Sequence, residues 1–491
     1  MSSFPARHPR LSSALLGALA VIGYAPFHLY PVPILTLAGL FLLLQRAGGQ
    51  GFRIGYCYGL GLYGAGVSWI FVSLHDFGGM PVAGALLATG LLCAFLALFP
   101  GMTGWIGSRL PRGRLLALPA AWALSEWVLN WIFTGFPWLT LGYSQAPASP
   151  LAGFAPVLGV FGVSLLAAAC AALIAWLVGH WQTPRLRRVG FAGLLAFWVA
   201  GSLLKQVAWV TPAGAPVSVS LLQGNIAQDL KWEASEIDRT LRTYVELAMQ
   251  HPAQLIVMPE TALPLLKHHV PEDYLQLLRQ IAIDQGGDLL VGMPEQENGL
   301  YFNSMISLGS APSQTYRKSH LVPFGEFIPF KSALGWIYRD WLHIPLADLA
   351  PGSQDQRPMQ VAGQSVGVNI CYEDVFGEEI IRQLPEATLL VNASNDAWYG
   401  RSLAAHQHRH ISQMRALESG RMMLRATNTG ATAIIDHRGN VLAEAPHFTT
   451  TALTGTAQGF AGSTPFVRFG NWPAITLILL LLGLLWVREK K

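Results

Sequence analysis

Residues 366–374 read Val-Gly-Val-Asn-Ile-Cys-Tyr-Glu-Asp (VGVNICYED) and place a thiol, Cys371, directly after a short β-branched run. A strand that stops in a sharp turn presents its last side chain at a sheet edge. The next backbone N–H, that of Tyr372, then faces a developing oxyanion. The other three cysteines, Cys57, Cys93 and Cys170, lie in long hydrophobic segments. On the oxidising side of a membrane, stable cysteines come in disulfide pairs, so an odd thiol there is either buried and inert or reactive. Burial is common for free cysteine; the strand-end position weighs towards reactivity.

An ordinary soluble protein is about 25% charged. This chain of 491 residues is 12% charged and 52% hydrophobic, with a mean hydropathy of +0.37. Residues 1–210 hold eleven Lys/Arg and two acids, Asp76 and Glu126, for a net +9; residues 211–491 carry a net −5. The isoelectric point near 8.9 therefore gives no indication of a nucleic-acid partner, because the basic residues fall in short loops between apolar segments.

A membrane-spanning helix needs about 20 mostly apolar residues. Eight segments qualify in outline: 11–28, 33–45, 54–74, 82–108, 115–133, 152–181, 190–209 and 472–487. The first two read alternatively as a re-entrant hairpin. The first also resembles a signal-peptide core, but further spans follow it at once. Basic residues cluster at Arg7/Arg10, Arg46/Arg53, Arg109/Arg112/Arg114, Arg185/Arg187/Arg188 and Arg488/Lys490/Lys491, whereas the loops near 75–81 and 134–150 have none. By the positive-inside rule both termini face the cytoplasm and residues 211–471 lie on the outer face. The expected division is a membrane domain over 1–210, an extracytoplasmic domain over 211–465 and a last span with a tail over 466–491.

After the linker Thr211-Pro-Ala-Gly-Ala-Pro216 the pattern changes to short β-branched runs at 217–226, 254–260, 288–295, 303–309, 365–373, 387–394, 432–439 and 452–457, alternating with helical periodicity at 236–250, 271–285 and 402–424. About 250 residues in this order suit one α/β domain. Gly59-Leu-Gly-Leu-Tyr-Gly64 matches a dinucleotide fingerprint literally, but it lies inside an apolar span with no preceding strand. Glycines there allow helix backbones to approach closely.

A nucleophilic thiol needs a base and a cation nearby. Glu260 in VMPETALP and Glu295 in GMPEQE are candidate acids at strand ends. Lys318 and Arg317 are candidate cations, and His320 offers a Cys–His pair. Spacing alone leaves these open. Three stretches in order, PETALP (259–264), YRKSHLVPFGEFIP (316–329) and NICYEDVF (369–376), resemble the Glu, Lys and Cys motifs of the nitrilase superfamily. Together with the eight-span frame and the stretches SEW (125–127), FTGFPWLTLGYSQ (133–145) and NASNDAWYG (392–400), the chain is similar to the apolipoprotein N-acyltransferase family over nearly its whole length.

That resemblance implies an αββα sandwich and a catalytic triad of Glu260, Lys318 and Cys371. Glu260 would serve as base and Lys318 as the charge that favours the thiolate and binds the oxyanion. Glu326 and Glu373 would orient Lys318 and the turn around Cys371, with Tyr372 in support. It further implies acyl transfer from a membrane phospholipid to the N-terminal amine of a diacylglyceryl-modified apolipoprotein, through a cysteine thioester. No cofactor or metal is expected, and the chain is expected to act as a monomer in the bacterial inner membrane, with the catalytic domain periplasmic. The same triad would serve a membrane-anchored amidase hydrolysing a soluble substrate.

The aromatic stretch Phe330–Leu342 and Leu230-Lys-Trp232 fit either ordinary core aromatics or a lid near the lipid; the resemblance favours the lid, with Trp232, Trp336 and Asn395 at the substrate. His406, His408 and His410 invite a metal reading, but H-E-x-x-H is absent, which favours solvation or packing. Glu126, beside Trp127 and Asn130, is a functional candidate by its place in a span, or a helix-pairing residue. A transporter reading finds few intramembrane charges to build a polar path.

Overall fold

The computed structural model describes residues 7–111, 113–329, 332 and 348–490. Most of the aromatic stretch at 330–342, Trp336 included, lies outside the described residues. The chain forms two compact units: one from residues 7–71, 83–208 and 468–490, the other from Val72–Val82 and Trp209–Val467.

Among the described residues, four helices are long and apolar enough to cross a membrane: Val82–Arg109, Pro150–Gly179, Pro184–Leu204 and Trp472–Lys490. A fifth is reached if Gly48–Gly66 and Ile70–Phe77, bent by 55°, count as one. Of the eight segments expected, four or five are thus full-length candidates among the described residues, and Pro9–Gly23 and Pro31–Gln45 are shorter apolar helices. Apolar composition runs on where the backbone leaves the helix, as at His28 (φ 56°), Phe133 (φ 50°) and Thr134 (φ 75°). Arg114–Leu129 has 16 residues and reaches only about 24 Å, against a hydrocarbon core of about 30 Å. The glycine-rich stretch does pack helices. A Cβ on Gly61 would lie 1.9 Å from the Ala14 carbonyl oxygen, and one on Gly59 2.6 Å from Ala97 Cα. Glu126 is buried, and its Oε1 accepts from Trp122 Nε1 and from the Leu141 N–H, both at 2.8 Å. It thus ties its helix to the 138–145 turn region.

The second unit contains β1 (Val210–Pro212), β2 (Val217–Gln223), β3 (Leu255–Val257), β4 (Asp288–Glu297), β5 (Leu300–Gly309), β6 (Thr315–Arg317), β7 (Met359–Val361), β8 (Gln364–Ile370), β9 (Leu389–Ser394), β10 (Met423–Thr427), β11 (Ala433–Ile435), β12 (Val441–Glu444), β13 (Thr451–Ala457) and β14 (Phe460–Gly462). Two six-stranded sheets run β13-β2-β3-β4-β5-β6 and β12-β11-β10-β9-β8-β7, and β1 pairs with β14. The inner strands β2-β3-β4 and β8-β9-β10 are parallel. Period-two alternation sorts the side chains. Val219, Leu221, Val257 and Leu290 pack against Val366, Val368, Ile370 and Val391 in one core between the sheets. On the outer face of the first sheet, Leu222, Ile256 and Leu289 meet Leu241 and Tyr244 of the helix Ala234–Gln250 and Leu278 of Glu272–Asp284. Leu390 and Met423 meet Ala416 of the helix Ala404–Ser419 on the other. The result is a four-layer αββα sandwich.

The sequence pattern carries a helix from 402 to 424, but the structure ends it at Ser419 and starts β10 at Met423. Gly420 is the stop: it adopts φ 68°, and a Cβ there would lie 2.8 Å from Val210 Cγ1. Left-handed backbone costs a non-glycine residue about 1–2 kcal/mol. Gly420→Ala adds a clash to that cost and is expected to lower the melting temperature followed by tryptophan fluorescence. Gly299→Ala, at φ 79° with open space around it, should lower it less.

Candidate active site

The thiol sits where β8 ends. Cys371 itself has φ 52°, a conformation that a side-chain-bearing residue keeps only when its surroundings impose it. Its carbonyl is gripped by Asn392 Nδ2 at 3.0 Å and by His408 Nε2 at 3.2 Å. One residue upstream, the Ile370 N–H donates to Glu373 Oε2 at 2.7 Å. Glu373 Oε1 accepts from the Ser319 N–H at 2.6 Å, the His320 N–H at 3.1 Å and the Tyr316 hydroxyl at 3.0 Å. One buried carboxylate therefore fastens the cysteine turn to the segment that carries Lys318. Burial pushes its pKa up against these bonds. The Tyr372 ring packs on Phe376 and His320 at centroid distances of 5.2 and 5.9 Å.

Lys318 is 1% exposed. Its Nζ donates to Glu326 Oε1 at 2.9 Å and Glu260 Oε1 at 3.3 Å. Asn303 Nδ2 bridges the same two oxygens at 3.0 and 2.7 Å. Glu260 Oε2 accepts from the Asn395 N–H at 2.9 Å, and Glu326 Oε2 from the Val322 N–H at 2.8 Å. Glu260, Lys318, Glu326 and Cys371 line one cavity of about 200 Å³, together with Trp232, Asn303 and Asn395.

The charges follow from this packing. Burial pushes Glu260 up, but Lys318, Asn303 and Lys231 outweigh it and hold the carboxyl below its ordinary range. Burial opposes the charge on Lys318, and Glu326 and then Glu260 override it upwards. For Cys371, burial comes first, the Glu260 charge adds to it, and Lys318 only partly opposes, so the thiol is pushed well up. Lys318 favours the thiolate, but burial and the Glu260 charge outweigh it. These directions pair a neutral thiol with an ionised carboxylate, so any reaction at this sulfur would require its proton to leave.

The alternatives left open by spacing are engaged elsewhere. Glu295 pairs with Lys267 at 3.0 Å and Arg317 at 3.2 Å. His320 pairs with Glu379 at 3.0 Å and stacks on Phe376. Sequence reading missed Asn303, Gln228 and Lys231, which line the cavity with the others. Lys231 stands beside the noted Trp232, yet nothing in its spacing marks it as buried. Ser73 and Leu74 also line the cavity, and Ser73 Oγ donates to the Trp398 carbonyl at 2.8 Å.

Behind Cys371, His408 and Arg425 lie between Asp374 and Asp396, all fully buried. His408 contacts Asp374 Oδ1 at 2.8 Å and Asp396 Oδ1 at 2.9 Å. Arg425 contacts the same two carboxylates at 3.2 and 2.7 Å. The solvated role open to His408 from sequence is thus replaced by a buried ionic one. His410 is also buried, and His406 stacks on His447. The potential ligand atoms of His406, Glu444 and His447 lie within 4.8 Å of one another. However, His447 Nε2 already accepts the Ala431 N–H, and Glu444 holds Arg409. Burial and Arg425 push His408 down, but Asp374 and Asp396 prevail and raise it from 6.5 to about 9. A raised pKa makes its stabilisation complete below 6.5 and lost as pH rises through about 9. The melting temperature is expected to fall over that window more steeply for the unmodified chain than for His408→Gln.

Comparison with known proteins extends this picture. Residues 16–173 match the apolipoprotein N-acyltransferase N-terminal domain, and residues 218–465 match the carbon-nitrogen hydrolase family. Three relatives carry the name apolipoprotein N-acyltransferase. That of Nitrosomonas europaea is 55% identical, covering 97% of this chain and 95% of its own. That of Chromobacterium violaceum is 45% identical, covering 98% and 94%. That of Methylococcus capsulatus is 44% identical, covering 97% and 95%.

Proposed function

Because the chain belongs to the apolipoprotein N-acyltransferase family, we propose that it moves a fatty acyl group from a membrane phospholipid to the N-terminal amine of a diacylglyceryl-modified apolipoprotein. The observation that carries the chemistry is one cavity lined by a buried thiol, an ionised carboxylate and a lysine ammonium. In the first half-reaction the Cys371 sulfur attacks the ester carbonyl while Glu260 takes the thiol proton. The Lys318 ammonium neutralises the tetrahedral oxyanion, the C–O bond breaks, and Glu260 returns the proton to the leaving alcohol. The products are a thioester and a lysophospholipid. In the second, the neutral amine attacks the thioester, Glu260 accepts an amine proton, and the C–S bond breaks. The thiolate recovers a proton from Glu260 as the amide departs. One base thus serves both steps, the pattern of ping-pong transfer.

Glu326 and Asn303 fix Lys318 and Glu260 against each other, and Glu373 holds the turn. These are positioning roles. Trp232, on the cavity wall, offers an apolar face to the acyl chain. The apolar helices suit a bacterial inner-membrane location where both lipid substrates are found. The alternation of basic loops supports cytoplasmic termini and a periplasmic catalytic domain. Hydrolysis of a soluble substrate is not favoured, since the relatives share the acyltransferase name across both parts of the chain.

Intact-mass spectrometry of the purified protein incubated with phospholipid is expected to show an acyl-sized adduct removed by hydroxylamine. Cys371→Ala should carry none, and an adduct persisting there would refute the nucleophile assignment. Lys318→Met removes the oxyanion's charge partner and should slow adduct formation by at least about 10²-fold.

A further inference from the structure

Two residues lining the cavity, Gln228 and Lys231, carry more hydrogen-bond donors than the described residues satisfy. The orientation of Gln228 is set from the backbone outwards. The Ile226 N–H donates to Asn428 Oδ1 at 2.9 Å, and Asn428 Nδ2 donates back to the Ile226 carbonyl at 2.8 Å. That fixes which end of the Asn428 amide is which. Asn428 Nδ2 also donates to Asn395 Oδ1 at 3.0 Å, so Asn395 must turn its own Nδ2 to Gln228 Oε1, at 2.7 Å. The Gln228 carbonyl is thereby taken. Its NH₂ group remains and has no acceptor among the described residues.

Three positions on, Lys231 is 3% exposed, and its ammonium, with three N–H donors, has one acceptor: the Glu260 carbonyl oxygen at 3.3 Å. The two carboxylates in the cavity are committed to Lys318, Asn303 and backbone N–H groups. Lys318 is flanked by two of these carboxylates, whereas Lys231 bonds to no carboxylate oxygen. Burial accordingly lowers its pKa to about 8. An ammonium and an amide NH₂ lining one cavity, with no carboxylate bonded to either among the described residues, suit a group that only accepts and carries negative charge. Both residues line the same cavity as Cys371. A phospholipid has one such group within a short glycerol bridge of the ester carbonyl.

We propose that Lys231 and Gln228 form the subsite for the phosphodiester anion of the acyl donor, which sets the ester carbonyl against Cys371. The inference rests on the phospholipid-to-thioester reading above. It also makes these two residues determinants of donor class: lipids with a phosphodiester are preferred to neutral acyl esters.

The test uses the full-length protein in detergent and two donors, dioleoylphosphatidylglycerol and the phosphate-free ester p-nitrophenyl palmitate. The readout is the ratio of Cys371 acylation rates, phospholipid over ester, by intact mass. Lys231→Met is expected to lower that ratio about 10- to 100-fold, and Gln228→Leu about 3- to 10-fold. Lys231→Arg should restore much of it. An unchanged ratio, with both donors slowed alike, would mean that Lys231 acts only through Glu260 and would overturn the proposal. So would a defect confined to amine transfer from preformed acyl-enzyme, which would assign the subsite to the acceptor's peptide carbonyls. Should Lys231→Met not fold, Gln228→Leu carries the same ratio test. If the unmodified protein is acylated by the ester and not by the phospholipid, the donor reading itself fails, and this subsite with it.

Discussion

A lysine ammonium buried to 1% exposure between two carboxylates governs the geometry of the cavity. Taking one partner from a buried ion pair leaves a charge stranded, at a cost of about 3–5 kcal/mol, so each member constrains the next. Glu326 needs the Val322 N–H, Glu260 needs the Asn395 N–H, and Asn303 must bridge the two. The Lys318 N–H, in turn, donates to the Asn303 carbonyl at 2.8 Å. Four segments far apart in sequence are locked together by the demand that one positive charge stay satisfied away from water.

The cysteine turn obeys a second constraint of the same kind. Its left-handed backbone would relax in isolation. Glu373 clamps it to the lysine segment from one side, and Asn392 and His408 hold its carbonyl from the other. The helix behind it, Ala404–Ser419, is buried at every residue but His406 although it contains His408, Arg409, Arg415 and Glu418. The two outer helices of the first sheet bury a single face in the ordinary amphipathic way. The charges on this helix are tolerated because each meets an opposite one: His408 lies against Asp374 and Asp396, Arg409 against Glu444, and Arg415 against Glu418. The resulting rigidity lies directly behind the thiol.

This arrangement also explains why the thiol is held neutral. A cavity that buries Cys371 beside an ionised Glu260 disfavours a second negative charge until the first takes up a proton. Sulfur and carboxylate therefore act as a coupled pair. In the proposed reaction that coupling protects the nucleophile at rest and releases it only when an ester carbonyl is there to receive the electron pair.

Most strands were legible because alternation with a period of two survives burial, and the ends of β3 and β8 announced Glu260 and Cys371. Lys318 and Glu326 became readable only through ordered motifs, since their spacing alone could not separate Lys318 from Arg317 or Glu260 from Glu295. The strand β10 was hidden because Met423–Thr427 continues the apolar rhythm of the preceding helix, and one glycine in a left-handed conformation ends it. The length of each apolar helix was not legible, because hydropathy records composition and is blind to where the backbone turns. By itself the sequence determined the apolar and α/β parts, the order of the strands and the chemistry-bearing residues, all of which depend on local pattern. Only the tertiary structure decided which carboxylate meets which ammonium, that the thiol rests neutral, and that Gln228 and Lys231 have donors to spare. Those depend on burial and on amide orientations relayed between segments some two hundred residues apart, and no local pattern encodes them.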